Sequence, residues 1–515
     1  MNNNAPSATA PSPQDKPRTS HVEALKSSSI IGGSSVIVML IRMVRTKVVA
    51  VFLGPSGVGL EAIFDSVMSV ARTFFDFGLG TAGVRQIAVA ASSGNKESVA
   101  RTAFTLRRAC MVLGVVGAAT VFFARTAISE LAFGDSEHST SIGLLSVTLL
   151  FGAVVGGQGA LLNGLRRIGD MARMNIWGAL IGTAVTIPVV LIWGQNGIAA
   201  YMVIASGLGL PVAWIYVRRI EIPRVRMPAR EVLKESWAML RLGLAFVATS
   251  LMSITTLFLL RVIVTRVEGL EAAGQFQAAS ALSMVYVGFV LQAMGTDFFP
   301  RLTAVAGDNA RCNQMVNEQA EISFLLALPG LLATLALSPW AIKAFYSDRF
   351  DMAMEILSWQ MAGMFLRIAS WPLGFILMAK GRGIAFVLTD AAAWTTYLLF
   401  AWVGLKTFGL PGIGIAFLGL YIFYLVMIYV VARSVSGFRW SRINFFLLII
   451  GSTCIALAMA FRLRLPEPWS SGAGVIISAA MGYYCLRKLT KILGPDRINR
   501  IKEKLIRPLS SFFVR

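Results

Sequence analysis

The chain has 515 residues, 56% of them hydrophobic and only 14% charged, with a mean hydropathy of +0.69. A soluble protein usually carries about a quarter charged residues, so this balance argues against a soluble multidomain enzyme and for a chain that lives in lipid. The net charge of +21 sits in short loops and tails between long apolar runs, which is the pattern of membrane topology rather than a nucleic-acid footprint. Four scattered cysteines, two histidines and no GxxxxGK[ST] sequence argue against a disulfide framework, a His/Cys zinc site or a P-loop, and no cofactor or metal is expected.

Residues 1–26 are rich in Ser, Pro, Asn and Ala and read as a disordered cytoplasmic tail. The first apolar run lacks an A-x-A cleavage site after it and is expected to be an anchor rather than a removed signal peptide. Crossing the bilayer core takes roughly 20 mostly apolar residues. Fourteen runs meet that need: 28–50, 59–84, 102–124, 141–162, 173–194, 197–217, 239–262, 273–299, 319–341, 353–379, 384–405, 412–432, 443–461 and 470–486. Backbone polar groups in lipid must be satisfied internally, so helices are predicted throughout. With the N-terminus in the cytoplasm, 34 of the 47 Lys and Arg fall inside, eight outside and five within spans. That bias places both ends in the cytoplasm. The terminal stretch 497–506 puts Ile498, Ile501 and Leu505 on one side, and reads either as an interfacial helix on anionic lipid or as a solvated basic tail.

A shift of 215 residues aligns Gly59 with Gly274, Gly80-Thr81 with Gly295-Thr296, Arg167 with Arg382, Gly194 with Gly409 and Arg218 with Arg433. Spans one to six then map onto seven to twelve in the same orientation. The predicted fold is therefore an all-α polytopic membrane protein of about 14 transmembrane helices. Two parallel six-helix repeats form two lobes around a central cavity, with two extra C-terminal helices, a plan seen in transporters. The expected domains are an N-lobe at 27–217, a basic cytoplasmic linker at 218–238, a C-lobe at 239–433, the last two spans at 443–486 and a basic cytoplasmic segment at 487–515.

Charges inside the spans mark the candidate site, since each costs about 2.5–3.5 kcal/mol at the bilayer centre. In the second span Glu61, Asp65, Arg72 and Asp76 fall at about 0°, 40°, 20° and 60°, a single stripe that must face protein or a wet cavity. Arg72 and Asp76, four residues apart, can also pair within the helix. The first span carries Arg42, Arg45 and Lys47, the tenth Arg367, and the eighth offers Gln277 and Gln292. Lys47, Arg261 and Arg266 lie near span ends, where interfacial anchoring is the simpler role. Asp390 shares a face with Trp394 and Tyr397. Cations outnumber carboxylates here, and the guanidinium fork suits phosphate oxygens, so an anionic head group is favoured over a drug-like cation.

The segments Lys47-Val48-Val49-Ala50-Val51-Phe52-Leu53-Gly54-Pro55-Ser56-Gly57-Val58-Gly59 and Phe77-Gly78-Leu79-Gly80-Thr81-Ala82-Gly83-Val84-Arg85 resemble the opening of bacterial O-antigen translocases. Those are lipid-linked oligosaccharide flippases of the multidrug/oligosaccharidyl-lipid/polysaccharide superfamily. The resemblance covers about the first 90 residues. It implies an inner-membrane protein that moves undecaprenyl-diphosphate-linked oligosaccharide to the periplasmic leaflet by alternating access. It also implies membrane lipids, polysaccharide polymerase and assembly proteins as partners. By matched position Arg42, Lys47 and Arg85 carry over as family-like basic residues. Many O-antigen flippases have twelve spans, whereas fourteen is the plan of lipid II flippases, which leaves the sugar open. Two other readings stand: a drug/cation antiporter of the same superfamily, and a membrane-embedded glycosyltransferase or polymerase. The latter would need an acidic site in an outer loop, and the only such cluster is Asp135-Ser136-Glu137.

Overall fold

The computed structural model describes residues 16–493 apart from 224 and 226; the side chains of 16–29, 31, 238, 241–246, 248–249, 289, 292–297 and 463 fall outside that description. The predicted tail 1–15 and the basic stretch 497–506 therefore lie beyond it. Among the described residues there are helices and no strands. In chain order they are α1 (Lys16–Asp76), α2 (Leu79–Ser92), α3 (Lys96–Phe123), α4 (Arg125–Phe133), α5 (Ser139–Leu145), α6 (Val147–Gly164), α7 (Ile168–Trp193) and α8 (Ile198–Val217). After the linker come α9 (Ala229–Glu268), α10 (Leu270–Ala304), α11 (Asn309–Ala336), α12 (Ser338–Phe345), α13 (Asp351–Ala379), α14 (Gly383–Phe408), α15 (Gly412–Ser436), α16 (Arg442–Arg464) and α17 (Trp469–Leu493). Each of the fourteen apolar runs lies mainly on helix, but 59–84, 141–162 and 319–341 cross breaks at Phe77-Gly78, Ser146 and Leu337, and α1 already starts at Lys16, inside the stretch expected to be a tail.

Nine helical segments among the described residues are long and apolar enough to cross a membrane on composition alone. The count is below fourteen for physical reasons. The first span carries three cations, and α7 and α8 form one continuous apolar stretch, joined by a turn of 3-10 helix at Gly194–Gly197.

Helix breaks make the repeat visible. Gly54 (φ 68°, ψ −167°) interrupts α1 just before Pro55, and Gly269 (φ 88°, ψ 176°), 215 residues later, separates α9 from α10 in the same conformation. A side chain at such φ is strained, and proline lacks the N–H that the helix would use there. Gly194 (φ 55°, ψ −136°) and Gly409 (φ 63°, ψ −150°) end α7 and α14 alike. Arg166 and Gly381 both take positive φ, at 57° and 70°. They sit in matching C-terminal motifs, where Arg167 N–H donates to Leu162 and Arg382 N–H to Leu377, both at 2.8 Å. The short helices α4 and α12 follow α3 and α11 in each half; the sequence reading left α4 in a connection between spans, while the predicted span 319–341 ran into the start of α12.

By contact the chain forms two compact units. One comprises the described residues up to Val48, with Met68–Ser129 and Glu137–Ala248; the other comprises Val49–Val67, Glu130–Ser136 and Thr249 onward. The first is packed around Leu79, Ile87, Leu106, Leu161 and Tyr216. Its α3 also anchors the start of α9, where Arg101 Nη2 lies 2.9 Å from Glu231 Oε2 and the Thr105 hydroxyl donates to Glu235 at 2.8 Å. The second is packed around Phe298, Leu373, Leu377, Ile428 and Phe438. Within it, Asn444 Nδ2 donates to the Asn317 carbonyl at 2.8 Å and Asn313 Nδ2 to the Ser436 carbonyl at 2.8 Å, tying α16 and α15 to α11.

In the second unit the repeat-related glycines meet. A methyl group on Gly59 would overlap the Leu270 carbonyl, and one on Gly274 would overlap the Pro55 carbonyl. Small residues let helix backbones approach this closely, which is how helices associate in lipid. Gly274→Ala is expected to lower the Tm of the detergent-solubilised protein, at a cost of about 1–3 kcal/mol for the forced separation. Gly33→Ala, where open space surrounds the position, should leave Tm unchanged.

Outside the spans, Glu467 sits before α17 with its Oε1 3.9 Å from Arg462 Nη1. Burial alone would raise its pKa, but hydrogen bonds from Ser470 and Ser471 and the Arg462 charge hold it below the usual carboxylate range. A lowered folded-state value gives stabilisation that is present above the unfolded value and fades as pH falls through the folded one. The protection factor for hydrogen exchange in the first turn of α17, taken against the intrinsic rate at each pH, should therefore fall in acid for the wild type. In Glu467→Gln it should already be low at neutral pH.

Candidate functional site

The predicted stripe on α1 divides between the two units: Glu61 and Asp65 belong to the second, Arg72 and Asp76 to the first. Asp65 and Arg72 are exposed, while Glu61 and Asp76 are partly buried. Asp76 receives the backbone N–H of Gly80 at 3.5 Å, across the break at Phe77–Gly78 (φ 45° and 71°), and so serves the open start of α2. Arg72 acts on Asp76 electrostatically but makes no ion pair with it among the described residues. Its guanidinium instead lies over α6, where Nε is 3.4 Å from the place a methyl on Gly152 would occupy.

The second unit has its own intramembrane guanidinium. Arg367 lies midway along α13, partly buried, with Nη1 3.2 Å from Met284 Sδ and 4.0 Å from Met364 Sδ. Its Cζ is 5.9 Å from both the Trp371 and the Tyr421 ring centroids. Arg367 is 215 residues after Gly152, so the two guanidinium groups occupy related places in the two repeats although they come from different helices. Neither Arg72 nor Arg367 donates to an oxygen among the described residues, and the same is true of Arg42 and Arg85, both exposed. Arg45 and Lys47, on α1, are partly buried. Gln292 has its side chain outside the described residues.

Arg367 and Asp390 face one cavity of about 190 Å³ bounded by α13, α14 and α15. Its wall is largely aromatic, with Trp371, Phe375, Trp394, Tyr421 and Tyr424. Of the two aromatic residues that the sequence placed with Asp390, Trp394 lines the cavity, whereas Tyr397 is fully buried with its ring 5.7 Å from Phe417.

Arg261 escaped the sequence reading, which placed it at an interface because it stands near a span end. It is partly buried and bonded within the protein instead. Its Nη1 donates to Ser66 Oγ and its Nη2 to Gln277 Oε1 at 2.6 Å, with Asp65 close enough to act on it electrostatically. Gln277 is thus committed to a protein partner. Arg266, the other expected anchor, is exposed and donates to the Glu130 carbonyl of α4. No group of His, Cys, Asp and Glu among the described residues could hold a metal ion.

An all-α bundle of membrane helices built as a repeat has the architecture of a transporter. The family described as "Polysaccharide biosynthesis protein" matches residues 48–355, more than half of the chain, and the protein belongs to that family. It is similar to the "Lipid III flippase" of Escherichia coli (strain K12), with 23% identity over 392 residues covering 73% of this chain and 90% of the relative. A Shigella flexneri protein of the same name matches equally. Among solved structures, lipid II flippase MurJ in an inward closed conformation aligns with a TM-score of 0.65 and 11% identity, covering 91% of this chain and 99% of that one. An inward-facing multidrug resistance MATE family transporter of the MOP superfamily aligns with a TM-score of 0.63 and 18% identity, covering 77% and 94%. The fold is that of these multi-pass membrane transporters.

Removing the Arg261 side chain leaves the Gln277 side-chain oxygen without its donor, while the Ser66 hydroxyl keeps its bond to the Ala62 carbonyl. Arg261→Ala should destabilise the detergent-solubilised protein by about 1–3 kcal/mol, read as a fall in Tm. Ser66→Ala, which leaves the Gln277 contact in place, should cost clearly less.

Proposed function

We propose that this protein is a flippase that moves an undecaprenyl-diphosphate-linked oligosaccharide, an O-antigen or related surface-polysaccharide unit, from the cytoplasmic to the periplasmic leaflet of the bacterial inner membrane. Both termini lie in the cytoplasm in this reading, and transport proceeds by alternating access. The observation that carries it is the pair of repeat-related guanidinium groups, Arg72 and Arg367, neither with an oxygen acceptor among the described residues. Membership of a polysaccharide biosynthesis family and similarity to a protein named for lipid III flipping support it.

The physics is direct. A diphosphate and its sugars cannot enter hydrocarbon unaided, because each desolvated polar group costs several kcal/mol. Guanidinium donors supply the interactions that water would give, and their planar fork matches phosphate oxygens. The prenyl tail needs no such shelter and stays in lipid. Arg42, Arg45, Lys47 and Arg85 extend the basic surface along α1 and α2, and hold the head group with Arg72. Release on the far side requires weaker binding in that state, since a ligand shifts an equilibrium only by its differential affinity. Consumption of the product by a polymerase and its assembly proteins would draw the cycle forward. The chain itself catalyses no covalent step in this reading.

In a strain lacking the gene, Arg42→Ala or Arg72→Ala should cut surface polysaccharide by roughly tenfold or more, the loss of at least about 1.4 kcal/mol of head-group binding. Membrane insertion, followed by immunoblot of the membrane fraction, should stay at the wild-type level. Wild-type export from both variants would overturn the reading of these residues.

A further inference from the structure

The cavity among α13, α14 and α15 has a lining that the repeat does not require. The positions of Arg367, Trp371, Trp394, Tyr421 and Tyr424 correspond in the first repeat, 215 residues earlier, to Gly152, Gly156, Ala179, Ser206 and Gly209. Where one half has small residues, the other has a guanidinium, two indoles and two phenols around open space. Helix packing alone is met by the small residues of the first half. The large polar-tipped groups of the second half therefore carry a further task.

Their chemistry is specific. The Tyr421 and Tyr424 rings stand at 89° with centroids 6.3 Å apart, so faces are presented from two directions. The Trp371 indole N–H is buried and has no acceptor among the described residues. The Arg367 donors meet only thioether sulfurs and ring faces among the described residues. Asp390 brings carboxylate acceptors to the same space, beside the Trp394 indole. A diphosphate is disfavoured by that carboxylate, a prenyl tail by the two charged groups, and an organic cation by the guanidinium.

We propose that this cavity is a saccharide subsite that takes one pyranose ring of the cargo. The apolar C–H face of the ring stacks on an indole or phenol, as polarisable aromatic faces allow. Neighbouring hydroxyls donate to the Asp390 carboxylate and accept from Arg367, while Trp371 contributes its ring. A diol is both donor and acceptor, which suits a cavity that presents both. The diphosphate is left to Arg42 and Arg72. The inference rests on the reading of the cargo as a lipid-linked saccharide and adds where its sugar is recognised.

The test compares two lipids on the full-length protein in detergent: undecaprenyl diphosphate, and undecaprenyl-diphosphate-linked oligosaccharide extracted from the same bacterium. Wild type should bind the glycosylated lipid at least about tenfold more tightly than the bare one. Trp371→Ala and Asp390→Asn should each erase that increment while leaving affinity for undecaprenyl diphosphate within about twofold. Trp371→Phe, which keeps a ring, should retain most of the increment and shows that the site tolerates substitution. An increment that survives in both Trp371→Ala and Asp390→Asn would overturn the subsite and leave the flippase reading standing. Binding of neither lipid by wild type would overturn the flippase reading and the subsite together. Binding of tetraphenylphosphonium that is lost in Trp371→Ala, with the sugar increment intact, would make the cavity a cation site and overturn the proposal.

Discussion

A guanidinium within a membrane span is the constraint around which this molecule is organised. At the bilayer centre an ion costs about 2.5–3.5 kcal/mol, so it must find partners. The chain answers in two ways. Arg261 is bonded to Ser66 and Gln277, which converts the ion into a fixed part of the packing. Arg72 and Arg367 meet no oxygen acceptor among the described residues. Arg72 rests over the bare backbone at Gly152, and Arg367 among sulfurs and aromatic faces. The first arrangement holds helices together, and the second leaves donors available to something that arrives.

The repeat explains how such a site can be built from simple parts. Helices in lipid satisfy their own backbones, so only side chains and helix breaks remain to give shape. The breaks are shared between halves, at Gly54 and Gly269, at Gly194 and Gly409, and at Arg166 and Gly381. The side chains around the cavity are not shared. Common breaks keep the framework, while substitution at a few helix faces gives the second half its aromatic-lined chamber.

The fold was largely legible in the sequence because hydropathy reports directly on burial in lipid, and the fourteen runs lie mainly on helix, although three of them cross a break that hydropathy does not show. The repeat was legible through glycine and arginine at fixed spacing, although Gly54 with Gly269 is a stronger pair than those the alignment first offered. The short helices α4 and α12 were not legible, being too brief to show a period that stands out from a loop. The site was harder. A stripe of charges on α1 could be drawn from angles alone, but angles do not say which members serve the chain itself. Asp76 attends to the start of α2, and Gln277 belongs to Arg261. Arg261 was misplaced because nearness to a span end is measured along one helix, whereas its partners come from two others. Arg367 stood out as a lone cation in an apolar run, but its aromatic surroundings come from three helices and could not be seen from one.

The thioethers beside Arg367 bear on turnover. Sulfur is polarisable and a poor acceptor, and methionine has three rotatable bonds, so Met284 and Met364 cushion the charge without fixing its direction. A newcomer that takes those donors breaks no ion pair on arrival, and the cushion can re-form without rearranging the helices when it departs. A carboxylate in the same place would have held the guanidinium in a deep well and made every exchange slow. Soft ligation of this kind suits a carrier, whose throughput depends on short residence rather than on tight grip.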